Sequence, residues 1–154
     1  MKLSSKVAIV TGAANGIGAA IATLFASQGA TVIIADIEQD AGEQHAARLR
    51  AGNGKAEYRY LDVTSYECWE DVAAEVVASH GTLTTLVNNA GAFHPGNIES
   101  ETLEKWEKLI SINQTSIFLG LKTCLPHLVA SGHGSVVNVS SLYGLVASAS
   151  AFSY

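Results

Sequence analysis

The chain has 154 residues, 48% of them apolar and 15% charged, which excludes an intrinsically disordered polymer and suffices to bury a core. Its formal net charge is −5 and no cluster of Lys and Arg appears, so a nucleic-acid backbone is not an expected partner. The first apolar run stops after Val10 and no stretch approaches the roughly 18 apolar residues of a membrane span, so no signal peptide and no membrane are expected, and a cytoplasmic location is the default.

In chain order, short β-rich runs alternate with longer helical stretches. Residues 6–10 form a compact strand. Residues 16–28 form a helix in which Ile17, Ile21, Leu24 and Phe25 make one apolar stripe, with Gly29 placed to end it. A β-branched run over 31–36 follows, then an Ala-rich helix over 39–50 closed by the turn Gly52-Asn53-Gly54. Residues 56–61 are a third strand. Thr64 with Glu67 offers a capping box to a helix whose buried side is Trp69, Val72, Val76 and Val77. A fourth strand covers 85–87. A long helical region spans about 102–130, bent near Asn113 and carrying Pro126, and 135–139 is a fifth, valine-rich strand. Cys68 and Cys124 fall in helices without metal-ligand or redox spacing. They read as reduced packing residues, and no metal is expected.

This alternation predicts an α/β fold, a doubly wound parallel sheet of the Rossmann type with right-handed crossovers and helices on both faces. The strands are apolar on both sides, as a doubly covered sheet requires. No linker, repeat or low-complexity stretch divides the chain, so residues 1–154 are read as a single domain.

The first turn carries the chemistry. Thr11-Gly12-Ala13-Ala14-Asn15-Gly16-Ile17-Gly18 runs from the first strand straight into the first helix. Gly12 suits the tight turn, Gly16 the approach of backbone to a pyrophosphate, and Gly18 close packing of helix on sheet. The helix N-terminus adds free N–H groups and the positive end of its dipole. The second strand ends in Asp36, eighteen positions beyond Gly18 (36 − 18). A carboxylate there can accept from both hydroxyls of an adenosine ribose and repels a 2′-phosphate, which favours NAD over NADP. A methyltransferase binding S-adenosylmethionine is the rival, since it too uses a glycine loop and an acid after the second strand.

The spacing Gly12-x-x-x-Gly16-x-Gly18 resembles that of the short-chain dehydrogenase/reductase family, classical type, and the resemblance extends along the whole chain. Asn88-Asn89-Ala90-Gly91 after the fourth strand, Asp62-Val63, Asn113 and Asn138-Val139-Ser140-Ser141 each match a family motif. Tyr154 stands thirteen residues after Ser141 (154 − 141), the family's spacing between catalytic serine and tyrosine. The resemblance implies an oxidoreductase that moves a hydride between NAD(H) and a small secondary alcohol or ketone. Ser141 would hydrogen-bond the substrate oxygen, Tyr154 would exchange its proton, and Asn113 would anchor a proton relay through its backbone carbonyl and a water. Gly12, Gly16, Ile17 and Gly18 would hold the pyrophosphate, with Asn15 adding a contact to the ribose that Asp36 binds. Asp62 and Val63 would flank the adenine, and Asn88, Ala90 and Gly91 would line the path to the nicotinamide. Asn88 has a second reading as a tie between two strands, and Asn113 as the mark of the helix bend. Phe93, His94 and Tyr143 lie near the expected substrate mouth.

The family motif continues as Tyr-x-x-x-Lys, and the sequence stops at Tyr154. A tyrosine titrates near 10, and work near neutrality asks for roughly 3 to 4 kcal/mol of phenolate stabilisation, which the lysine and the oxidised nicotinamide supply in the family. A carboxylate at position 154 would act the wrong way. These 154 residues are therefore expected to be an incomplete, inactive piece of a longer protein. Five strands of the family's seven are encoded, and the valines of the fifth would form a bare, aggregation-prone edge. The full-length parent is expected to form a dimer or tetramer. The alternative is a non-catalytic NAD-binding fragment or an inactive subunit.

Overall fold

The structure, a computed structural model, describes residues 1–146. Five strands, β1 (Val7–Thr11), β2 (Thr31–Asp36), β3 (Lys55–Tyr60), β4 (Thr85–Asn88) and β5 (Ser135–Asn138), form one sheet in the order β3-β2-β1-β4-β5. Every pairing is parallel, as the alternating pattern predicts. The helices are α1 (Gly16–Ser27), α2 (Gln39–Ala51), α3 (Tyr66–His80), α4 (Leu103–Ile110) and α5 (Ser116–Ala130). None in the described residues is long and apolar enough to cross a membrane.

Alternation of side chains across the sheet divides the core in two. Ile9, Ile33 and Leu86 point to one face and pack with Trp69, Val76 and Leu128 of α3 and α5. Val10, Val32, Ile34 and Val87 point to the other and meet Ala22, Ala26 and Ala46 of α1 and α2. All five residues of β1 are buried, so both faces of the central strand are covered. At β5, by contrast, every residue is exposed, with Val137 at 45%.

Two local expectations need correction. The buried face of α1 is Gly18, Ala22 and Ala26, with Ile21 and Phe25 only partly packed, whereas Ile17 and Leu24 are 67% and 60% exposed. The helix lies so close to the sheet that only small side chains fit between them. A Cβ built on Gly18 would sit 2.2 Å from the Gly12 carbonyl oxygen and 2.5 Å from Asn89 Nδ2. The cap of α3 is Ser65, whose Oγ accepts from the Cys68 N–H at 3.2 Å. Thr64 is engaged elsewhere, donating from both its N–H (2.9 Å) and its hydroxyl (2.7 Å) to Asp62 Oδ1.

The expected bend at Asn113 is a π turn, Ser111–Thr115, inserted between α4 and α5, in which the Ser116 N–H reaches back five residues to the Ser111 carbonyl. After β3 the chain returns across the sheet to β4, so strand order reverses between β1 and β4. A crevice opens there at the carboxyl ends of the strands.

Candidate cofactor and active site

Thr11 ends β1 and holds the crevice's two walls together. Its hydroxyl donates to the Val87 carbonyl at 3.3 Å and accepts from the N–H groups of Asn89 and Ala90, both at 2.9 Å. One donor and two lone pairs are thereby all engaged. Asn89 completes the tie, its amide donating to the carbonyls of Thr11 (2.8 Å) and Gly12 (3.3 Å). Neither residue was among the predicted site residues. The available signal was their contiguity with Gly12 and Asn88.

The glycine loop turns as expected. Gly12 and Gly16 have φ of +62° and +58°, the left-handed region that L side chains avoid. A Cβ on Gly16 would meet nothing within 4 Å, so the backbone there faces open space that a phosphate can fill. Asn15 caps α1 without using its side chain on the cap, and it is exposed.

Asp36 stands at the end of β2, its Oδ2 accepting from the Ala14 N–H at 2.9 Å and its Oδ1 from the Glu38 N–H at 3.0 Å. A carboxylate offers about four lone-pair directions, so roughly two remain for a diol. The carboxylate thus stands as a preorganised acceptor at the edge of a cleft of about 660 Å³. Burial, with Asp36 and then Glu43 adding to it, raises the Tyr58 phenol above its usual range, and that phenol donates to the Asp36 carbonyl.

A second cavity of about 500 Å³ shares Ala90, Gly91 and Ala92 with the first. The first collects Gly12, Asn15, Asp36, Asp62 and Val63, together with Ile37, Glu38 and Tyr60, which sequence reasoning missed. The second collects Ile17, Asn88, Asn113 and Ser141. Gly16 and Gly18 line neither cavity and shape the loop between strand and helix. Apart from these two glycines, the predicted residues within the described part line the two adjoining cavities. Tyr154 lies outside the described residues.

Individual roles are sharper than expected. The side chain of Asn88 is buried and donates to Asn138 Oδ1 at 2.8 Å, joining β4 to β5. Asn113 makes a reciprocal pair with Ala92, accepting from its N–H and donating to its carbonyl, each at 2.8 Å. The amide of Asn113 therefore clamps the wall of the second cavity. Ser141 Oγ accepts from the Tyr143 N–H at 3.2 Å, which leaves its own proton to donate. His94 hydrogen-bonds the buried Glu101 carboxylate at 3.0 Å and lines neither cavity, while Phe93 and Tyr143 stack with centroids 6.4 Å apart.

Residues 6–154 match the family described as short chain dehydrogenase. The chain belongs to that family. Among curated members, 2,5-dichloro-2,5-cyclohexadiene-1,4-diol dehydrogenase LinX of Sphingobium indicum is 46% identical over 99% of this chain and 61% of its own length. Trans-4-hydroxycyclohexanecarboxylate dehydrogenase of Sinomonas cyclohexanicum is 41% identical over 94% of this chain and 58% of its own. Cyclopentanol dehydrogenase of a Comamonas species is 37% identical over 99% and 61%. The chain thus spans about three fifths of the length of these relatives. The solved structure of the LigD apo form from Sphingobium sp. strain SYK-6 superposes with a TM-score of 0.94 at 35% identity, over 98% of this chain and 65% of that one. Family and solved neighbour agree with the Rossmann-type sheet.

Proposed function

We propose that residues 1–154 form a single NAD-binding domain of a dehydrogenase that interconverts small cyclic secondary alcohols and ketones. The observation that carries this reading is the placement of the Asp36 carboxylate and the Ser141 hydroxyl in the two halves of one groove, with the glycine loop beside it. Asp36 and Glu38 together oppose a 2′-phosphate, which supports NAD as the cofactor. The relatives named for cyclic alcohols and diols support the substrate class.

NAD, when bound, supplies the ring that takes up the hydride. The chain's own residues bind and orient. The loop from Gly12 to Gly18 would receive the pyrophosphate at the N-terminus of α1, Asp36 would accept from the ribose hydroxyls, and Asp62 with Val63 would border the adenine. Asn88, Ala90 and Gly91 flank the route to the second cavity. There Ser141 would donate to the substrate oxygen. Tyr154, which the family motif pairs with Ser141, would accept the alcohol proton. With its amide engaged by Ala92, Asn113 would serve a proton relay through its carbonyl. The phenol of Tyr154 requires a cation to work near neutral pH, supplied in the family motif by a lysine four residues further on. The 154 residues by themselves are expected to bind NAD with little turnover.

The test is NAD reduction with cyclopentanol and a cyclohexanediol by a polypeptide carrying these residues and that lysine. Ser141→Ala is expected to lower kcat by about 100-fold, in the range for removal of a hydrogen-bond donor to a reacting oxygen. Turnover within a few-fold of the parent, or a preference for NADP, would overturn the reading.

A further inference from the structure

His45 is the only buried histidine among the described residues, 4% exposed in α2 beneath the glycine loop, and the mechanism above makes no use of it. Its Nδ1 lies 2.8 Å from the Ala13 carbonyl oxygen. A carbonyl only accepts, so Nδ1 carries the proton. Its Nε2 lies 3.1 Å from the Thr23 hydroxyl on α1. The peptide that joins Ala13 to Ala14 is buried, and its other end, the Ala14 N–H, donates to Asp36 Oδ2 at 2.9 Å. A single peptide group is thus held at its oxygen by His45 and at its hydrogen by Asp36.

We infer that His45 is a positioning residue for cofactor selection, setting Asp36 through the Ala13-Ala14 peptide. This rests on Asp36 receiving the adenosine ribose. The geometry explains why a buried imidazole is kept here. Without a donor, the Ala13 oxygen is left unsatisfied in an apolar setting, and the peptide turns to find another. Turning it withdraws one of the two N–H groups that hold the carboxylate, the other being that of Glu38. Hydrogen bonds in such a chain also polarise one another, so the Nδ1–H strengthens the donor that faces Asp36. A loosened Asp36 loses attraction for ribose hydroxyls and repulsion for a 2′-phosphate at once. The preference between two cofactors should therefore change, which mere loosening of the loop would not cause.

The test measures dissociation constants of NAD and NADP on the polypeptide that carries these residues and the following lysine, and on its variants, alongside Tm. His45→Leu keeps bulk and removes both hydrogen bonds. It is expected to weaken NAD roughly fivefold to tenfold and to narrow the NAD-over-NADP ratio by a similar factor, the size of one net hydrogen bond. His45→Asn places an amide donor where Nδ1 lies and should recover the ratio to within about twofold, whereas His45→Gln, whose amide overlays Nε2, should not. Should His45→Leu fail to fold, the comparison of Asn with Gln decides. An unchanged ratio in His45→Leu, or equal ratios in the Asn and Gln variants, overturns the inference alone. A parent chain that prefers NADP, or binds neither, overturns the cofactor reading and this inference with it.

Discussion

Thr11 shows how much one hydroxyl can hold. It sits at the end of the central strand with 1% of its surface exposed and makes three hydrogen bonds to the segment around β4. Valine has nearly the same shape and offers no lone pair. Thr11→Val therefore leaves the N–H groups of Asn89 and Ala90 without their acceptor in the floor of the crevice. The expected cost is about 1–3 kcal/mol per orphaned group, read as a loss of unfolding free energy in denaturant titration, with weaker NAD binding beside it. A variant as stable as the parent would show that water or a shifted backbone replaces the hydroxyl. Gly18 acts at the same scale by lacking a side chain, since any Cβ there collides with the loop it is meant to support.

Among elements, α3 and the π turn show local sequence divided between two tasks. Thr64 and Ser65 are adjacent and both suit an N-cap, yet only Ser65 serves α3 while Thr64 fixes Asp62 at the cleft. Ser65→Ala should cost about 1 kcal/mol of stability, the usual value of a serine cap. Thr64→Ala should leave the cap intact, so a larger stability loss there than at Ser65 would reverse the assignment. The π turn does comparable work between α4 and α5. It lets one helical run bend at Asn113, whose amide then reaches Ala92, twenty-one residues away.

Across the whole molecule, two cores share one sheet, and close approaches lock α5 to it. A Cβ on Gly120 would stand 2.8 Å from Trp69 of α3 and 3.0 Å from Asn88 Oδ1 of β4. Cys124, one turn on, is fully buried in the same core, and burial pushes its thiol up to about 11 from an ordinary 9.0. Below pH 9 both folded and unfolded chains keep that proton, and the contribution to stability is complete. Between pH 9 and 11 the unfolded chain gives it up while the folded one retains it, so stability falls by roughly 2–3 kcal/mol. Cys124→Ala should remove that part of the alkaline slope in pH-dependent denaturation. An identical slope in the variant would place the titration elsewhere.

The sequence by itself determined the strand–helix alternation, the parallel sheet, the glycine loop and the acid after β2. Each is written in contiguous residues or in a period of two or 3.6 along the chain. Family motifs also single out Ser141, Asn88 and Asn113, which line one cavity of the structure. Tertiary structure alone decided which face of α1 is buried. The large residues Ile17 and Leu24 belong to the apolar stripe yet face outward, whereas close helix–sheet contact selects the smallest, Gly18, Ala22 and Ala26. It alone also decided that Thr11 and Asn89 tie two walls and that His45 grips the loop. Those bonds join residues 32 to 79 positions apart. A hydrogen bond between distant segments leaves no periodic trace in either one, because its partner is chosen by the fold.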